Sequence, residues 1–314
     1  MSSFTSITIG TRGSPLALAQ SHLTADLLAA TLGLKRDAIV LEVIRTTGDA
    51  TQDRALSEIG GKGLFTKEID AAQLAGHVDL AVHSAKDLPT VLPDGLMIAG
   101  YLPREDHRDA LIAPRWQTLA NLPQGARVGT VSLRRQALLR RMRPDLRVET
   151  LRGNVETRLA RAADGTFDAV VLAMAGLKRL GLADRVSEIL DPQTFLPAVG
   201  QGAIALVTRA SDLRMREMVG AVSHRETGIA LAAERAFLGV LDGSCSTPIG
   251  GSARVQGTEL VFSGLVLNPD GSAHWDEIGQ LELGVDALTE AAELGARLGR
   301  SIRARLPHGV LGHG

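Results

Sequence analysis

The chain has 314 residues, 45% of them hydrophobic, which is enough for two or three packed domains and excludes a mainly disordered chain. A formal net charge of -1 at pH 7 excludes the basic field that a general nucleic-acid or membrane-surface binder needs. The single cysteine, Cys245, excludes an internal disulfide framework and any CxxC spacing for metal or redox work. Met1 to Gly10 has no basic region followed by an apolar stretch, and no apolar run approaches membrane-spanning length. The expectation is a soluble cytoplasmic protein with no metal site.

The first two thirds alternate short strands and helices, the pattern of an α/β fold. Ser6 to Thr11 alternates as a strand, and Ser14-Pro15 then starts a helix, with serine as cap and proline in the first turn. Leu16, Ala19, Leu23, Leu27 and Ala30 recur at helical spacing. Ala38 to Thr46 is a second strand, Thr66 to Ala75 a helix closed by Gly76, and Asp79 to Ser84 a third strand. Thr47 to Gly63 is rich in glycine and charge and reads as a mobile loop. A second α/β unit begins near Pro103, with strands over Arg127–Val131, Arg147–Leu151 and Ala169–Ala173. Phe195 to Gly202 has hinge composition, and Ala203 to Thr208 is a strand able to return to the first unit. Beyond Gly228 come a helix to Leu241, the loop around Cys245, and antiparallel strands at Arg254–Val266 and His274–Leu283. A last amphipathic helix covers Asp286–Leu306.

Three strand-to-helix junctions share one design: Thr11-Arg12-Gly13-Ser14, Gly129-Thr130-Val131-Ser132-Leu133-Arg134-Arg135, and Leu151-Arg152-Gly153-Asn154 continuing to Arg158. A helix N-terminus offers unpaired N–H groups and the positive end of a dipole, and a small residue lets an anion approach. An arginine at each junction makes three candidate sites for carboxylate or phosphate, at the strand ends where α/β ligands sit. The chain holds 29 arginines against five lysines, but codon bias accounts for a count, and only position carries weight. Gly60-Gly61-Lys62-Gly63 lacks the spacing of a nucleotide-binding phosphate loop, though Lys62 can still meet an anion. Phe65 either stacks on a flat ring or packs in the core. Lys86 and Asp87 follow a strand in His83-Ser84-Ala85-Lys86-Asp87-Leu88-Pro89, either as a surface pair or as a carboxylate placed for a ring N–H or a developing cation. Cys245 sits in Asp242-Gly243-Ser244-Cys245-Ser246-Thr247-Pro248, a turned loop rather than an apolar helix, where a thiol can ionise and react.

Taken together, these motifs resemble the porphobilinogen deaminase (hydroxymethylbilane synthase) family. The stretches that carry the resemblance are TRGSPLALAQ, GGKGLFTKEID, HSAKDLPT, GTVSLRRQ, LRGNVETRL, LAMAGLKRLG, LPAVGQGAI and GSCSTPIG, in the family's order from about residue 9 to 251. Val131 and Ala19 depart mildly from the family pattern, away from the proposed nucleophile and acid. The resemblance implies two periplasmic-binding-protein-like α/β domains plus a smaller α+β C-terminal domain. The corresponding boundaries are residues 1–102 with 203–222, 103–202, and 223–314, the last bearing the cysteine loop. It implies a transferase of tetrapyrrole biosynthesis that joins four porphobilinogen units head to tail, releases ammonia each time, and yields the linear tetrapyrrole hydroxymethylbilane. The primer implied is a dipyrromethane cofactor held by a thioether on Cys245, a soft nucleophile suited to the electrophilic methylene-pyrrole left when ammonia departs.

By the same resemblance Asp87 is the catalytic carboxylate and Lys86 and Lys62 lie near substrate or cofactor carboxylates. Arg12, Arg134, Arg135, Arg152, Arg158 and Arg179 bind or steer the acetate and propionate arms. Ser14, Thr130, Ser132 and Gly153 supply hydroxyl or backbone donors at the junctions. Phe65 lies in a family stretch, Gln20 gives site support, and Gln201 belongs to the hinge. A monomer is the family expectation. The rival from another class is an organic-anion solute-binding protein of the same two-lobed fold, which needs a signal peptide and has no use for Cys245.

Overall fold

A computed structural model describes residues 6–50, 65–241, 247–307 and 309–311. Cys245, Lys62 and most of the predicted loop after Thr47 lie outside the described residues. The chain divides into two compact units, Met1–Arg104 with Ala203–Gly228, and Glu105–Gly202 with Ile229–Gly314.

The first unit is built on a five-stranded sheet. Its strands are β1 (Ile7–Thr11), β2 (Ile39–Val43), β3 (Leu80–Ser84), β4 (Leu96–Tyr101) and the returning β10 (Ile204–Arg209), in the order β2-β1-β3-β10-β4. The β1 strand pairs parallel with β2 and β3, whereas β10 runs antiparallel to both β3 and β4. The helix Pro15–Leu32 starts as the sequence predicts: Ser14 is extended and its Oγ accepts from the Ala17 amide at 3.3 Å, with proline in the first turn. Gly33 ends it in the left-handed conformation, its N–H returning to the Ala29 carbonyl.

The buried face of this helix is not the predicted leucine stripe. Gln20, Ser21, Thr24, Ala25, Leu28 and Ala29 face inward, and Leu23 is 48% exposed. Small residues let the helix lie close to the sheet, and the Thr24 hydroxyl satisfies itself on the Gln20 carbonyl at 2.9 Å. The helix Lys67–Leu74 then leads to β3, and Ile7, Ile9, Leu28, Leu80, Val82, Ile204 and Leu206 close the core. Thr47–Ala50 is one helical turn where the sequence predicts loop.

The second unit repeats the sheet order with different residues. Strands β5 (Asp109–Ile112), β6 (Arg127–Gly129), β7 (Arg147–Glu149), β8 (Ala169–Ala173) and β9 (Glu188–Ile189) lie in the order β7-β6-β8-β5-β9. Again the β6 strand pairs parallel on both sides and the fourth strand, β5, is antiparallel. The same unit holds the antiparallel meander β11 (Ile249–Gln256), β12 (Glu259–Leu267) and β13 (His274–Glu282), flanked by helices Arg225–Val240 and Ala287–Arg303. Leu265 and Leu267 of β12 join Leu138 and Leu139 in one core cluster, which anchors the meander to the helix Leu133–Met142. The turn at Asn268–Gly271 reaches the same helix. Gly271 has φ +79, and a Cβ there would sit 2.7 Å from the Ala137 carbonyl oxygen, so only glycine fits. An α/β fold with an α+β tail is thus what these residues build.

Candidate active site

In the first unit the polar groups gather at the carboxyl ends of β1 and β3. Arg12 follows β1, half-buried, and its guanidinium lies 4.2 Å from the centroid of the Phe65 ring. Phe65 is therefore neither plain core filling nor an isolated platform; it carries the arginine by cation–π attraction. Beyond β3 a tight 3₁₀ turn, Ala85–Asp87, presents Lys86 and Asp87 half-exposed, while Ala85 is buried and its amide donates to the Ala203 carbonyl at 2.9 Å. Gln20 spans the two carriers: its Nε2 donates to Ser84 Oγ at 2.9 Å, tying the capped helix to the end of β3.

His83, just before Ser84, is buried, and its Nε2 has no hydrogen-bond partner among the described residues. Burial, with the Arg12 charge adding to it, lowers its pKa to about 4, so it stays neutral at pH 7. Asp79, ahead of the same strand, accepts from the Thr8 amide at 2.9 Å. Among the described residues no group of three or more metal-ligating side chains occurs.

In the second unit two of the predicted junctions form as expected. Ser132 Oγ accepts from the Arg135 amide at 3.5 Å, and Asn154 Oδ1 accepts from the Thr157 amide at 2.8 Å. Thr130 is buried, its Oγ1 accepting from the Ser132 amide at 3.3 Å. Gly153 is exposed with φ +108, which leaves the junction open to an approaching group. Arg152 is half-buried and has no ion pair among the described residues; Arg158 is half-buried one turn into the helix Val155–Ala163.

Arg134 and Arg135 behave differently. They are 2% and 5% exposed and share the carboxylate of fully buried Asp109, at 2.8 and 2.7 Å. Burial pushes the Asp109 carboxyl up, but the two guanidinium groups outweigh it and hold the carboxyl below its usual range. Gln201 joins the same cluster, its Nε2 donating to Asp109 Oδ1 at 2.9 Å and to the His107 carbonyl at 2.8 Å. Arg179 is committed to the backbone as well, donating to the Gly202 carbonyl at 2.7 Å, and burial lowers its pKa. Gly202 has φ +88 and faces the Glu105 carbonyl so closely that any side chain would collide with it.

Asp109 is the residue that sequence reasoning missed. Its signal was a carboxylate heading the apolar run Ala110-Leu111-Ile112, a position that needs a buried partner. Glu234 was missed for the same reason; it is fully buried and accepts from the Gly200 amide at 2.7 Å and the Ala253 amide at 2.8 Å.

Comparison with known proteins agrees with this chemistry. A family model described as "Porphobilinogen deaminase, dipyromethane cofactor binding domain" matches residues 7–217, and "Porphobilinogen deaminase, C-terminal domain" matches 229–304. The porphobilinogen deaminase of Nitrobacter hamburgensis is 54% identical over 298 residues, covering 95% of this chain and 93% of the relative. That of Nitrobacter winogradskyi is 53% identical over the same shares. Among solved structures, the periplasmic VFT2 domain of Bordetella pertussis BvgS is similar over 71% of this chain and 88% of its own, at 16% identity and a TM-score of 0.41. With two family models spanning most of the sequence and relatives sharing more than half of its residues, the chain belongs to the porphobilinogen deaminase family.

Proposed function

We propose that the family's reaction is divided between a carboxylate and a set of arginines at the strand ends and the thiol of Cys245. The chain is a transferase that joins four porphobilinogen units into hydroxymethylbilane with loss of ammonia. The solute-binding alternative is not favoured, because such a protein does not account for a family match that includes the cofactor-binding domain.

The donor set fits a dipyrromethane bearing several carboxylates. The observation that supports the fit is Arg134 Nε, a buried donor with no partner among the described residues. Cys245 would hold the group through its sulfur, and Arg12, Arg134 and Arg152 would hold its acidic arms, with Lys62, Arg158, Ser14 and Ser132 in support. When bound, the dipyrromethane supplies the primer to which pyrrole units are joined.

Asp87 is the acting carboxylate. Presented by the 3₁₀ turn after β3, it accepts the pyrrole N–H of porphobilinogen and stabilises positive charge as ammonia leaves. A fixed charge aimed at a developing cation is the largest kind of protein contribution to such a step. Lys86 steers an acidic arm beside it. The observation that carries this assignment is the half-exposed Lys86-Asp87 turn braced from beneath by buried Ala85 and from the side by the Gln20–Ser84 bond. Asp87→Asn tests it: the purified variant should keep the covalent adduct by intact mass yet fail to turn over, and normal turnover would remove Asp87 from the mechanism.

A monomeric, cytoplasmic enzyme with no nucleic-acid or membrane partner is part of the same proposal. No described helix is long and apolar enough to cross a membrane. The division into three domains, 1–102 with 203–222, 103–202 and 223–314, is proposed on the separateness of the three sheets.

A further inference from the structure

Glu234 is a fully buried carboxylate that the proposed reaction does not use. It sits on the helix Arg225–Val240, ahead of Cys245 in the chain, and its two oxygens serve two different stretches of backbone. Oε2 accepts from the Gly200 amide at 2.7 Å, and Oε1 accepts from the Ala253 amide at 2.8 Å. Ala253 lies on β11, the first strand after Cys245. One side chain thus ties together the element before the cysteine loop, the element after it, and the segment Leu196–Gln201.

That segment lies hard against the start of β11. The Gly251 amide donates to the Pro197 carbonyl at 2.9 Å, and a Cβ on Gly251 would stand 2.8 Å from Val199. Its other contacts run to the α/β part of the same unit. The Leu196 carbonyl accepts from Arg134 Nη1 at 2.6 Å, and Gln201 Nε2 donates to Asp109 Oδ1 at 2.9 Å. Burying a carboxylate is costly, and two short N–H bonds offset that cost only while both amides stay aimed at it.

We propose that Glu234 is a positioning residue for cofactor attachment. It holds the elements on either side of Cys245 against Leu196–Gln201, and so fixes where the thiol stands relative to the α/β part of its unit. It acts through backbone amides and not as an acid, base or nucleophile. The inference rests on the reading of Cys245 as the attachment residue.

Glu234→Gln tests the bridge at constant size. The amide keeps one acceptor oxygen and turns an N–H donor toward the second backbone amide, so one arm of the bridge is lost. Leu298→Ala serves as the stability control: Leu298 is buried on the helix Ala287–Arg303 and packs on β13 at Gly279, so its loss leaves a cavity there. Each full-length chain, prepared without the adduct, is followed by intact mass during incubation with porphobilinogen. Its thiol is titrated with a small alkylating reagent after denaturation, and its melting temperature is recorded.

The proposal expects Glu234→Gln to fold, to keep a fully titratable thiol, and to gain the two-pyrrole adduct roughly tenfold or more slowly than the parent. That is the scale of one hydrogen bond to a charged group. Leu298→Ala should melt early and still load at the parent's rate. If Glu234→Gln loads like the parent, the inference falls. If Leu298→Ala slows loading as much for the same loss of melting temperature, Glu234 only supports the fold and the inference falls. If the parent never gains the adduct, or Cys245→Ala gains it too, the attachment reading falls and takes the inference with it. Should Glu234→Gln not fold, Gly200→Ala decides from the other end of the bond. Gly200 has φ +73, where a side chain strains the turn that aims its amide. Slower loading of that folded variant supports the proposal, and loading at the parent's rate overturns it.

Discussion

The two α/β units share a strand order but fill its equivalent places with opposite chemistry. After β3 the first unit makes a tight turn that presents Lys86 and Asp87; after β8 the second unit makes the helix Met174–Arg179, whose first turn is buried Met174, Ala175 and Gly176. The antiparallel strand of the first unit opens with Ile204, and that of the second opens with Asp109, buried under two arginines. The lesson is a division of labour on one topology. The first unit exposes a carboxylate that can act on a reacting atom, and the second concentrates positive charge that can hold an acid. Substitution of the Asp87 carboxylate should therefore fall on kcat, and substitution of the second unit's arginines on KM and on cofactor loading.

Asp87→Asn should give the largest effect and break the comparison most directly if it does not. Turnover should fall by roughly a hundredfold to a thousandfold with the adduct retained, the scale seen when one aimed electrostatic contact is removed. A change confined to KM would place Asp87 with the binding groups instead.

Next comes a stability effect confined to the first unit. The His83 pKa of about 4 lies below its ordinary 6.5, so the unfolded chain takes up the proton more readily than the folded one. The contribution is fully present above pH 6.5 and is lost as pH falls toward 4, about 3 kcal/mol in all. Denaturant unfolding across that range should show a falling limb that is absent in His83→Gln; equal slopes in both proteins would contradict it.

Arg152→Leu should raise KM for porphobilinogen or the unloaded fraction by roughly tenfold to a hundredfold, with kcat less affected. Unchanged kinetics would make it a surface residue. Phe65→Leu should cost less, a few-fold at most, because about 0.5–2 kcal/mol of cation–π attraction holds Arg12 in place. Steady-state kinetics with the Arg12→Lys variant as reference separates lost orientation from lost charge.

Much of this was legible in the residues. Ser14-Pro15 marked a helix start because capping is local chemistry, and Ala169–Ala173 read as a buried strand because an unbroken apolar run has few alternatives. Strands β4, β5 and β9 were not legible. The last two have four and two residues, too short for a period, and β5 follows the charged run Arg104 to Arg108. The helix face was not legible because Ser21 and Thr24 look polar in sequence, yet both are buried in the fold, and the Thr24 hydroxyl is satisfied on the Gln20 carbonyl. The motifs named Arg134 and Arg135 but not their burial, since the carboxylate that claims them is 26 residues from Arg135 along the chain. Non-local pairing of this kind leaves no mark on local spacing.

The central claim is a covalent two-pyrrole primer held on the single thiol, Cys245. Intact mass of the denatured full-length chain beside Cys245→Ala tests it most directly, each measured as purified and after incubation with porphobilinogen. The account predicts an excess of two linked pyrrole units in the parent and the bare sequence mass in the variant. A parent that stays at its bare mass after incubation, or a variant that carries the same adduct, would contradict it.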